Sequence, residues 1–446
     1  MVKVITYGTF DLLHYGHIRL LERAKALGDY LIVGVTSDDF DRSRGKINVQ
    51  QSLMERMEAV RATGLADKII VEEYEGQKID DIKQYGVDIF AIGSDWKGKF
   101  DYLNEFCQVI YLPRTQGISS SQIRQKERQI SLGIVGSSAF VNKLSAECRY
   151  VNGIRISGLY SEMDIGPEVD RSCFEFVTDD YDRLLDASDA VYMHEYPAAH
   201  YRLIARALQK GKHVICSSPV ALTRREYEEL TKMAQDNHCV LMDGIKTAYS
   251  TAYQRLILLL KSGHIGRVVS VDATCTSLVD VSRIKDYGKE WGSITDWGPT
   301  ALLPVFQIAG TEYRSFAITT HRLADTSFDT FTKIDFTYDS LTATIKVGNG
   351  IKSEGEMVVA GTLGYIYVPA PWWKTDYFEI RYENQTNNRR YFYQLDGEGI
   401  RYELVCFAKA ISSGSAAPYS CIDGKVSGQI CQVMEAYYQN QNMKFI

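Results

Sequence analysis

Short apolar runs alternate with amphipathic helical segments along the first part of the chain. The strand-like runs are VKVITYG, DYLIVGVTS, DKIIVEE, DIFAIG and QVIYLP. The helical segments between them are HIRLLERAKALG, QSLMERMEAVRATG and KIDDIKQYG. This order predicts a parallel α/β sheet with right-handed crossovers, and such sheets bind ligands at the carboxyl ends of their strands.

The same alternation starts again near Ile130, and the pattern changes at about Val268 to alternating segments rich in Thr, Val and Tyr. These segments predict a large, mostly antiparallel sheet with one buried face. Two helical segments, GIRYELVCFAKAISSG and VSGQICQVMEAYYQN, follow near the end. We therefore expect an α/β chain of three domains: Rossmann-like domains at 1–128 and 130–265, and an α+β sheet domain at 266–446.

Composition limits the function classes. With 446 residues, 45% hydrophobic and 24% charged, the chain is expected to fold as several globular domains. A net charge of -6 gives no general attraction to nucleic acid. The nine cysteines have no metal-ligand spacing, and no signal peptide or apolar run of about 18 residues is visible. We expect a cytoplasmic protein without a membrane span.

The first strand leads into a helix through the segment YGTFDLLHYGH, which carries His14 and His17 on either side of Gly16. This spacing puts two imidazoles beside a helix N-terminus, where backbone N–H groups and the helix dipole favour phosphate. Phosphoryl transfer needs mainly positioning and donors for the developing charge. The alternative is that both are ordinary histidines at a helix start.

This stretch resembles the HxGH nucleotidyltransferases, and most closely the bacterial glycerol-3-phosphate cytidylyltransferases, over residues 1–128. The similarity rests on ITYGTFDLLHYGHIRLLERAKALGDYLIV, GSDWKGKFDYL and YLPRTQGISSSQI. The resemblance implies cytidylyl transfer from CTP with Mg²⁺, and catalysis by His14, His17 and Lys46. It also implies that substrate and nucleotide contacts come from Thr9, Phe10, Asp11, Arg56, Asp95, Trp96, Arg114, Thr115, Ile118, Ser119, Ser120 and Ser121.

Two parts of this interpretation stay open. Lys46 and Arg56 are each compatible with an ordinary surface cation. Asp95 lies in Ser94-Asp95-Trp96, where some relatives carry two successive aspartates, so the resemblance assigns no metal ligand there; Asp11 is a further carboxylate that could face Mg²⁺.

The strand at 130–135 is followed by a loop that approximates a dinucleotide-binding fingerprint. Gly133, Gly136, Ser137 and Ser138 are the candidate cofactor contacts, with Ser138 standing where the fingerprint has its second glycine. Glu162, after the next strand, is a candidate for the ribose hydroxyls or an exposed loop residue.

Further along, the chain resembles the Gfo/Idh/MocA oxidoreductases from about Ile130 onward. The motifs are DAVYMHEYPAAHYRLIARALQKGKHVICSSPVALT, KSGHIGRVVSV and GSITDWGPTALLPVF. The resemblance implies an NAD(P)H site that includes Pro197 and His200. The chain departs from the family at Ser217-Ser218-Pro219, where relatives carry Glu-Lys-Pro, and at Asp296-Trp297-Gly298-Pro299-Thr300, where the usual His or Tyr is missing.

Carbonyl reduction needs a proton donor as well as hydride. The candidates here are Lys246, Tyr249, Asp296 and His200. Lys246 could equally be a surface lysine and His200 a packing histidine, and His213 is better explained as structural. Trp291, Trp297, Trp372 and Trp373 are candidates for a sugar-like pocket or for core packing.

Three hypotheses follow. In the first, the chain activates a polyol phosphate with CTP, and its C-terminal region first reduces a sugar phosphate with NAD(P)H. In the second, that region is a non-catalytic nucleotide- or sugar-binding or dimerisation module. In the third, the nucleotidyltransferase uses another nucleotide or a choline or ethanolamine phosphate. The family resemblance also implies a role in teichoic acid or capsule synthesis, and we expect a homo-oligomer.

Overall fold

The computed structural model describes residues 1–43, 49, 51–74, 76–113, 129–151, 153–163, 165–167, 169–278, 292–324, 326–393, 395, 397–414 and 420–446. It divides the chain into two compact units, Met1–Gln129 and Ile130–Ile446. No helix in the described ranges is long and apolar enough to cross a bilayer.

The first unit is a five-stranded parallel sheet in the order β3-β2-β1-β4-β5. Its strands are β1 Lys3–Gly8, β2 Tyr30–Thr36, β3 Lys68–Glu72, β4 Ile89–Gly93 and β5 Gln108–Leu112. Its helices are α1 Tyr15–Lys25, α2 Asp38–Ser43, α3 Leu53–Ala62 and α4 Gln77–Tyr85. The strand order reverses between β1 and β4, and ligands bind such sheets at this reversal.

Side chains of the central strands alternate between two cores. Val4 and Val33 pack on one side with Leu21 of α1, whereas Ile5 and Ile32 pack on the other. Because helices cover both faces, these strands are nearly continuous apolar runs, which is why the sequence pattern identifies them. The α/β fold class predicted for the first part of the chain is confirmed.

The second unit begins with a six-stranded parallel sheet in the order β11-β10-β9-β6-β7-β8. Its strands are β6 Ile130–Val135, β7 Ile154–Tyr160, β8 Phe176–Thr178, β9 Ala190–Met193, β10 His213–Cys216 and β11 Leu241–Asp243. The helices of this part are α5 Phe140–Cys148, α6 Tyr181–Asp186, α7 Pro197–Gln209, α8 Arg224–Asp236 and α9 Thr251–Lys261. Here the order reverses between β6 and β9.

A nine-stranded sheet follows in the same unit, in the order β19-β18-β17-β16-β12-β15-β14-β13-β20. Its strands are β12 Val268–Ser277, β13 Ser315–Arg322, β14 Asp329–Thr337, β15 Thr342–Asn349, β16 Met357–Gly361, β17 Gly364–Val368, β18 Tyr377–Tyr382, β19 Arg389–Phe392 and β20 Met443–Phe445. The accompanying helices are α10 Ser293–Ile308, α11 Ile400–Ser413 and α12 Gly424–Tyr438. Most pairings are antiparallel, as predicted, but β12 pairs with β15 and β13 with β20 in parallel. The parallel pairs join strands that are distant in the chain, and no local pattern encodes them.

Candidate active sites

In the first unit, His14 and His17 meet at the start of α1, beside the reversal of strand order. His14 caps the helix, and its Nδ1 accepts a hydrogen bond from the Gly16 N–H at 3.0 Å. The imidazole rings of His14 and His17 stack with centroids 3.9 Å apart. The predicted pair of imidazoles beside a helix N-terminus is therefore present in the structure.

The loop before this helix is held by side chains on two sides. Thr9 Oγ1 donates to Asp41 Oδ1 at 2.9 Å, and the Gln51 N–H donates to Asp11 Oδ1 at 3.0 Å. The Phe10 ring is buried and packs against the His17 ring, with centroids 5.5 Å apart and planes 66° apart. Phe10 has a left-handed φ of 54°, which is uncommon for a bulky residue. Packing against Phe10 therefore helps to fix the position of the His17 imidazole.

Arg56, a candidate for substrate contact, is fully buried. Its Nη1 donates to the backbone carbonyls of Thr9 at 2.7 Å and Thr36 at 2.8 Å, and its guanidinium also pairs with Asp38. A guanidinium with these partners joins the loop after β1 to the end of β2. These contacts give Arg56 a positioning role, and the expected contact with substrate stays a prediction.

Asp95 and Trp96 follow β4, the strand next to β1, so both lie at the same edge of the sheet as the histidines. Asp95 is exposed, and Trp96 is half-buried with the Lys99 ammonium 5.1 Å from its ring centroid. The other candidates lie outside the described residues: Lys46, Arg114, Thr115, Ile118, Ser119, Ser120 and Ser121.

A buried polar network near this edge escaped the sequence analysis. Lys78 pairs with Glu72 and lies 4.7 Å from the Tyr7 ring centroid, while the Tyr7 hydroxyl donates to Asp81 at 2.8 Å. Burial and this bond to Asp81 raise the pKa of Tyr7. The sequence pattern could have indicated this network. Lys78 and Asp81 occupy inward positions of α4 at helical spacing, where apolar residues are usual.

The second unit contains a cavity of about 1610 Å³ between the carboxyl edge of its parallel sheet and the nine-stranded sheet. Candidate residues that line it are Ser137, Ser138, Pro197, His200, Lys246, Asp296, Trp297 and Trp373. Gly136 lies at the start of the fingerprint loop with a φ of 150°, and a Cβ there would come within 2.5 Å of the His194 carbonyl oxygen. Only glycine allows this close approach of the loop to β9. Gly133 is inside β6 and packs against Leu184 and Ser188.

Glu162 and His200 are both occupied by protein partners. Glu162 accepts from the Tyr160 hydroxyl at 2.9 Å and pairs with Arg202, which lowers the pKa of its carboxyl. His200 is buried, with Nδ1 2.8 Å from the Pro219 carbonyl oxygen and Nε2 2.7 Å from that of Glu195. Burial lowers the pKa of His200. These contacts agree with the packing interpretation of His200, and its contact with a cofactor stays a prediction.

Of the proton-donor candidates, two lie in the cavity wall and one lies in the core. Lys246 lies in the cavity wall, with Nζ 3.1 Å from Glu398 Oε2, and Asp296 accepts from the Asn349 amide there. Tyr249 is in the core, and its hydroxyl donates to the Asp243 carbonyl at 2.8 Å. Because that hydroxyl is buried and bonded to the backbone, the structure does not bring Tyr249 to the cavity, contrary to expectation.

Among His213 and the tryptophans, some residues have structural contacts and others line the cavity. His213 Nδ1 accepts from the Val240 N–H at 3.0 Å, which agrees with the structural interpretation. The Trp297 and Trp373 rings meet in the cavity wall with centroids 4.8 Å apart. Trp372 is fully buried and donates to the Thr274 carbonyl at 3.0 Å, whereas Trp291 lies outside the described residues.

Two further polar pairs line the cavity and were missed. The Tyr192 hydroxyl donates to Glu403 at 2.7 Å, and burial raises the pKa of Glu403 to about 8. His194 Nδ1 is 2.7 Å from Ser217 Oγ, and burial lowers the pKa of His194 to about 3. The sequence could have indicated these pairs through the HEY segment, residues 194–196, directly after β9. Polar residues at the carboxyl end of a parallel strand often lie at the ligand-binding edge of the sheet.

Comparison with known proteins agrees with this geometry. Residues 5–126 match the family model described as cytidylyltransferase-like, and residues 130–245 match that of the oxidoreductase family with an NAD-binding Rossmann fold. A glycerol-3-phosphate cytidylyltransferase of Bacillus spizizenii is 54% identical over 125 residues, which span 28% of this chain and 96% of that protein. One from Staphylococcus aureus is 48% identical over 128 residues, or 28% of this chain and 95% of that protein.

Among solved structures, a 3-ketoreductase from Actinomadura kijaniata in complex with NADP and TDP-benzene superposes with a TM-score of 0.63 at 17% identity, covering 72% of this chain and all of that one. A levoglucosan dehydrogenase in complex with NADH and levoglucosan gives a TM-score of 0.58 at 17% identity, covering 70% of this chain and 98% of that one. At these identities the likeness establishes the fold of the second unit.

The fold and the histidine pair define the first unit as a nucleotidyltransferase. Through this unit the chain belongs to the cytidylyltransferase-like family that includes the glycerol-3-phosphate cytidylyltransferases.

Proposed function

We propose that the first unit transfers the cytidylyl group from CTP to a polyol phosphate, either glycerol 3-phosphate or a related alditol phosphate. The products are a CDP-alditol and pyrophosphate. The observation that carries this proposal is the stacked pair of His14 and His17 at the start of α1. The high identity to glycerol-3-phosphate cytidylyltransferases supports the choice of nucleotide and acceptor.

In the proposed reaction an oxygen of the acceptor phosphate attacks the α-phosphorus of CTP in line. A new P–O bond forms while the bond to the β-phosphate oxygen breaks, and pyrophosphate leaves with that electron pair. The imidazole N–H groups and the first backbone N–H groups of α1 stabilise the charge that develops on the phosphate oxygens. No covalent enzyme intermediate is needed.

Mg²⁺ would enter with the triphosphate. Among the described residues there is no cluster of three acidic, histidine or cysteine side chains that could hold a metal. Asp11 and Asp95 are the carboxylates that we propose for it, and two protein ligands would suit a Mg²⁺ ion that keeps phosphate and water ligands.

The test is pyrophosphate release from each nucleoside triphosphate with glycerol 3-phosphate, ribitol 5-phosphate, phosphocholine and phosphoethanolamine. We expect turnover with CTP and an alditol phosphate. Turnover only with ATP, or only with an amino-alcohol phosphate, would overturn the assignment.

We also propose that the second unit reduces a keto- or aldo-sugar phosphate to the alditol phosphate with NAD(P)H. The supporting observation is the cavity beside Gly136 and the start of α5, with Lys246 and Asp296 in its wall. A bound nicotinamide cofactor would supply hydride to the substrate carbonyl carbon. Gly136, Ser137 and Ser138 would accommodate its pyrophosphate, and Lys246 or Asp296 can exchange a proton with the substrate oxygen.

The competing proposal is that this unit is a non-catalytic binding or dimerisation module. It is supported by Ser218, which stands where the resembled oxidoreductases carry the lysine of their Glu-Lys-Pro motif. NADPH binding followed by turnover with keto phosphates separates the two: binding without turnover favours the module. Absence of binding would remove the reductase. Cytoplasmic location, a homo-oligomeric state and a role in a cell-surface polymer remain part of the proposal.

A further inference from the structure

Three lysines from separate segments converge on one carboxylate in the cavity of the second unit. Glu398 Oε1 is 2.7 Å from Lys374 Nζ and 3.4 Å from Lys143 Nζ, and Glu398 Oε2 is 3.1 Å from Lys246 Nζ. All four residues line the cavity. We call these four residues the lysine cluster.

One carboxylate cannot neutralise three ammonium groups. Although partial burial acts in the opposite direction, hydrogen bonds from Lys374 and Lys246 lower the pKa of Glu398 to about 2, so it is ionised at neutral pH. The cluster then has a formal charge of +2. Lys352 also lines the cavity and adds a further positive charge. The cavity wall also carries Glu195, Asp296 and Glu403, and burial raises the pKa of the Glu195 and Glu403 carboxyls. The positive charge is therefore concentrated at the lysine cluster, where it favours a ligand with two negative charges.

The backbone holds Glu398 in place. Gly397, Glu398 and Gly399 have φ values of 57°, 54° and 93°, so three successive residues are left-handed. Such a conformation is unfavourable for a glutamate and indicates a constraint on its position. A Cβ at Gly399 would lie 3.0 Å from the Lys246 carbonyl oxygen, so the turn packs closely against the segment that carries Lys246.

We propose that the lysine cluster binds the phosphate of a phosphomonoester substrate in the cavity, while Glu398 keeps the lysines together before the substrate arrives. Binding of the phosphate does not depend on the proposed reduction. Only the later reaction of the bound substrate rests on that proposed function. Lys374 and Glu398 come from segments outside the parallel sheet. We therefore assign the cluster to the substrate phosphate, whereas the pyrophosphate of a dinucleotide is expected at the N-terminus of α5.

The first test is calorimetric titration of the full chain with dihydroxyacetone phosphate. We compare the wild type with Lys143→Met, Lys374→Met and the double variant, and use Lys232→Met, an exposed lysine on α8, as the matched control. The wild type and Lys232→Met should bind equally. Each cluster variant should lose about tenfold in affinity, as expected for a charge-assisted contact. Any binding in the first unit is common to all the proteins and cancels. Equal affinity in all of them would overturn the inference.

Glu398→Gln is the complementary test. The glutamine amide oxygen can still accept hydrogen bonds from the lysines and keep them together, but the internal counter-charge is gone, so we expect affinity for dihydroxyacetone phosphate to rise severalfold. A purely structural network would instead give a lower melting temperature with unchanged affinity, and that result would count against the proposal.

Two further arms distinguish the phosphate source and the fate of the substrate. If Lys143→Met and Lys374→Met weaken NADPH binding and leave dihydroxyacetone phosphate binding intact, the cluster serves the cofactor and the inference is wrong. If the variants lose phosphate binding and the wild type oxidises no NADPH, the site stands and the reductase proposal fails. If the wild type does turn over, KM for the keto phosphate should rise about tenfold in each variant, with kcat nearly unchanged.

Discussion

The imidazole rings of His14 and His17 lie with centroids 3.9 Å apart and planes within 20° of parallel. His14 is fixed by its hydrogen bond from the Gly16 N–H, and the His17 ring packs against the Phe10 ring at a steep angle. The two rings therefore form one preorganised group beside the N-terminus of α1. Such preorganisation is what stabilisation of charge on a transferring phosphoryl group requires.

His17→Ala should lower kcat for CTP-dependent pyrophosphate release by about 10² to 10³, the usual effect of removing one donor to a developing charge. The melting temperature should change little, because His17 is only half-buried. His264→Asn, at an exposed position in the second unit, is the control and should leave kcat unchanged. A His17→Ala variant with wild-type kcat would show that the pair is not catalytic.

Arg56→Lys should destabilise the first unit. The lysine keeps the charge but cannot reach the carbonyls of Thr9 and Thr36 together with Asp38. Losing a hydrogen bond from a charged donor costs about 1.5–3 kcal/mol, so the urea midpoint of this unit should fall clearly. If the midpoint is unchanged while KM for CTP rises, Arg56 contacts substrate directly and its positioning role is wrong.

Glu403→Gln should flatten the pH dependence of stability in the second unit. Burial raises the pKa of Glu403 from 4.5 to about 8, so the folded state retains a proton that the unfolded state releases. Stability from this group is therefore complete below about pH 4.5 and is lost as the pH rises towards 8, by up to about 1.4 kcal/mol per pH unit.

Thermal unfolding followed by tryptophan fluorescence is a suitable measurement when Trp96 of the first unit is replaced by Phe in both proteins, since the other four tryptophans, Trp291, Trp297, Trp372 and Trp373, belong to the second unit. The advantage of Glu403→Gln over the wild type should grow from pH 5 to pH 8. The nearby Asp243 titrates in both proteins, so its contribution largely cancels. Parallel curves would mean that Glu403 is ionised in the folded protein.

Gly136→Ala should weaken NADPH binding to the second unit. The added methyl group would meet the His194 carbonyl oxygen at 2.5 Å and push the loop away from β9. We expect at least a tenfold loss in NADPH affinity by fluorescence titration, and a destabilisation of about 1–3 kcal/mol from overpacking. Gly158→Ala, on β7, would overpack against the Phe176 ring at 2.7 Å and is not among the cavity-lining residues, so it is the matched control and should keep its NADPH affinity. Unchanged affinity in Gly136→Ala would place the cofactor elsewhere.

Much of this molecule could be predicted from its sequence. The buried strands β1 and β2 are apolar runs bounded by amphipathic helices, and the HYGH segment follows β1 directly, so local patterns were sufficient to identify them. The same holds for the fingerprint loop at Gly136. By contrast, the local sequence does not distinguish the buried Arg56 from an ordinary surface cation. It also does not show that Tyr249 lies in the core and not in the cavity wall.

The sequence by itself determined the α/β order, the mostly antiparallel character of the last sheet and the histidine pair, because each depends on side-chain periodicity or on neighbours a few positions apart. Only the tertiary structure decided which charged groups meet. Lys143 and Glu398 are 255 positions apart, and Tyr192 and Glu403 are 211 apart. Such contacts arise when separate elements pack, and burial then fixes their pKa values and partners, so no local pattern carries them.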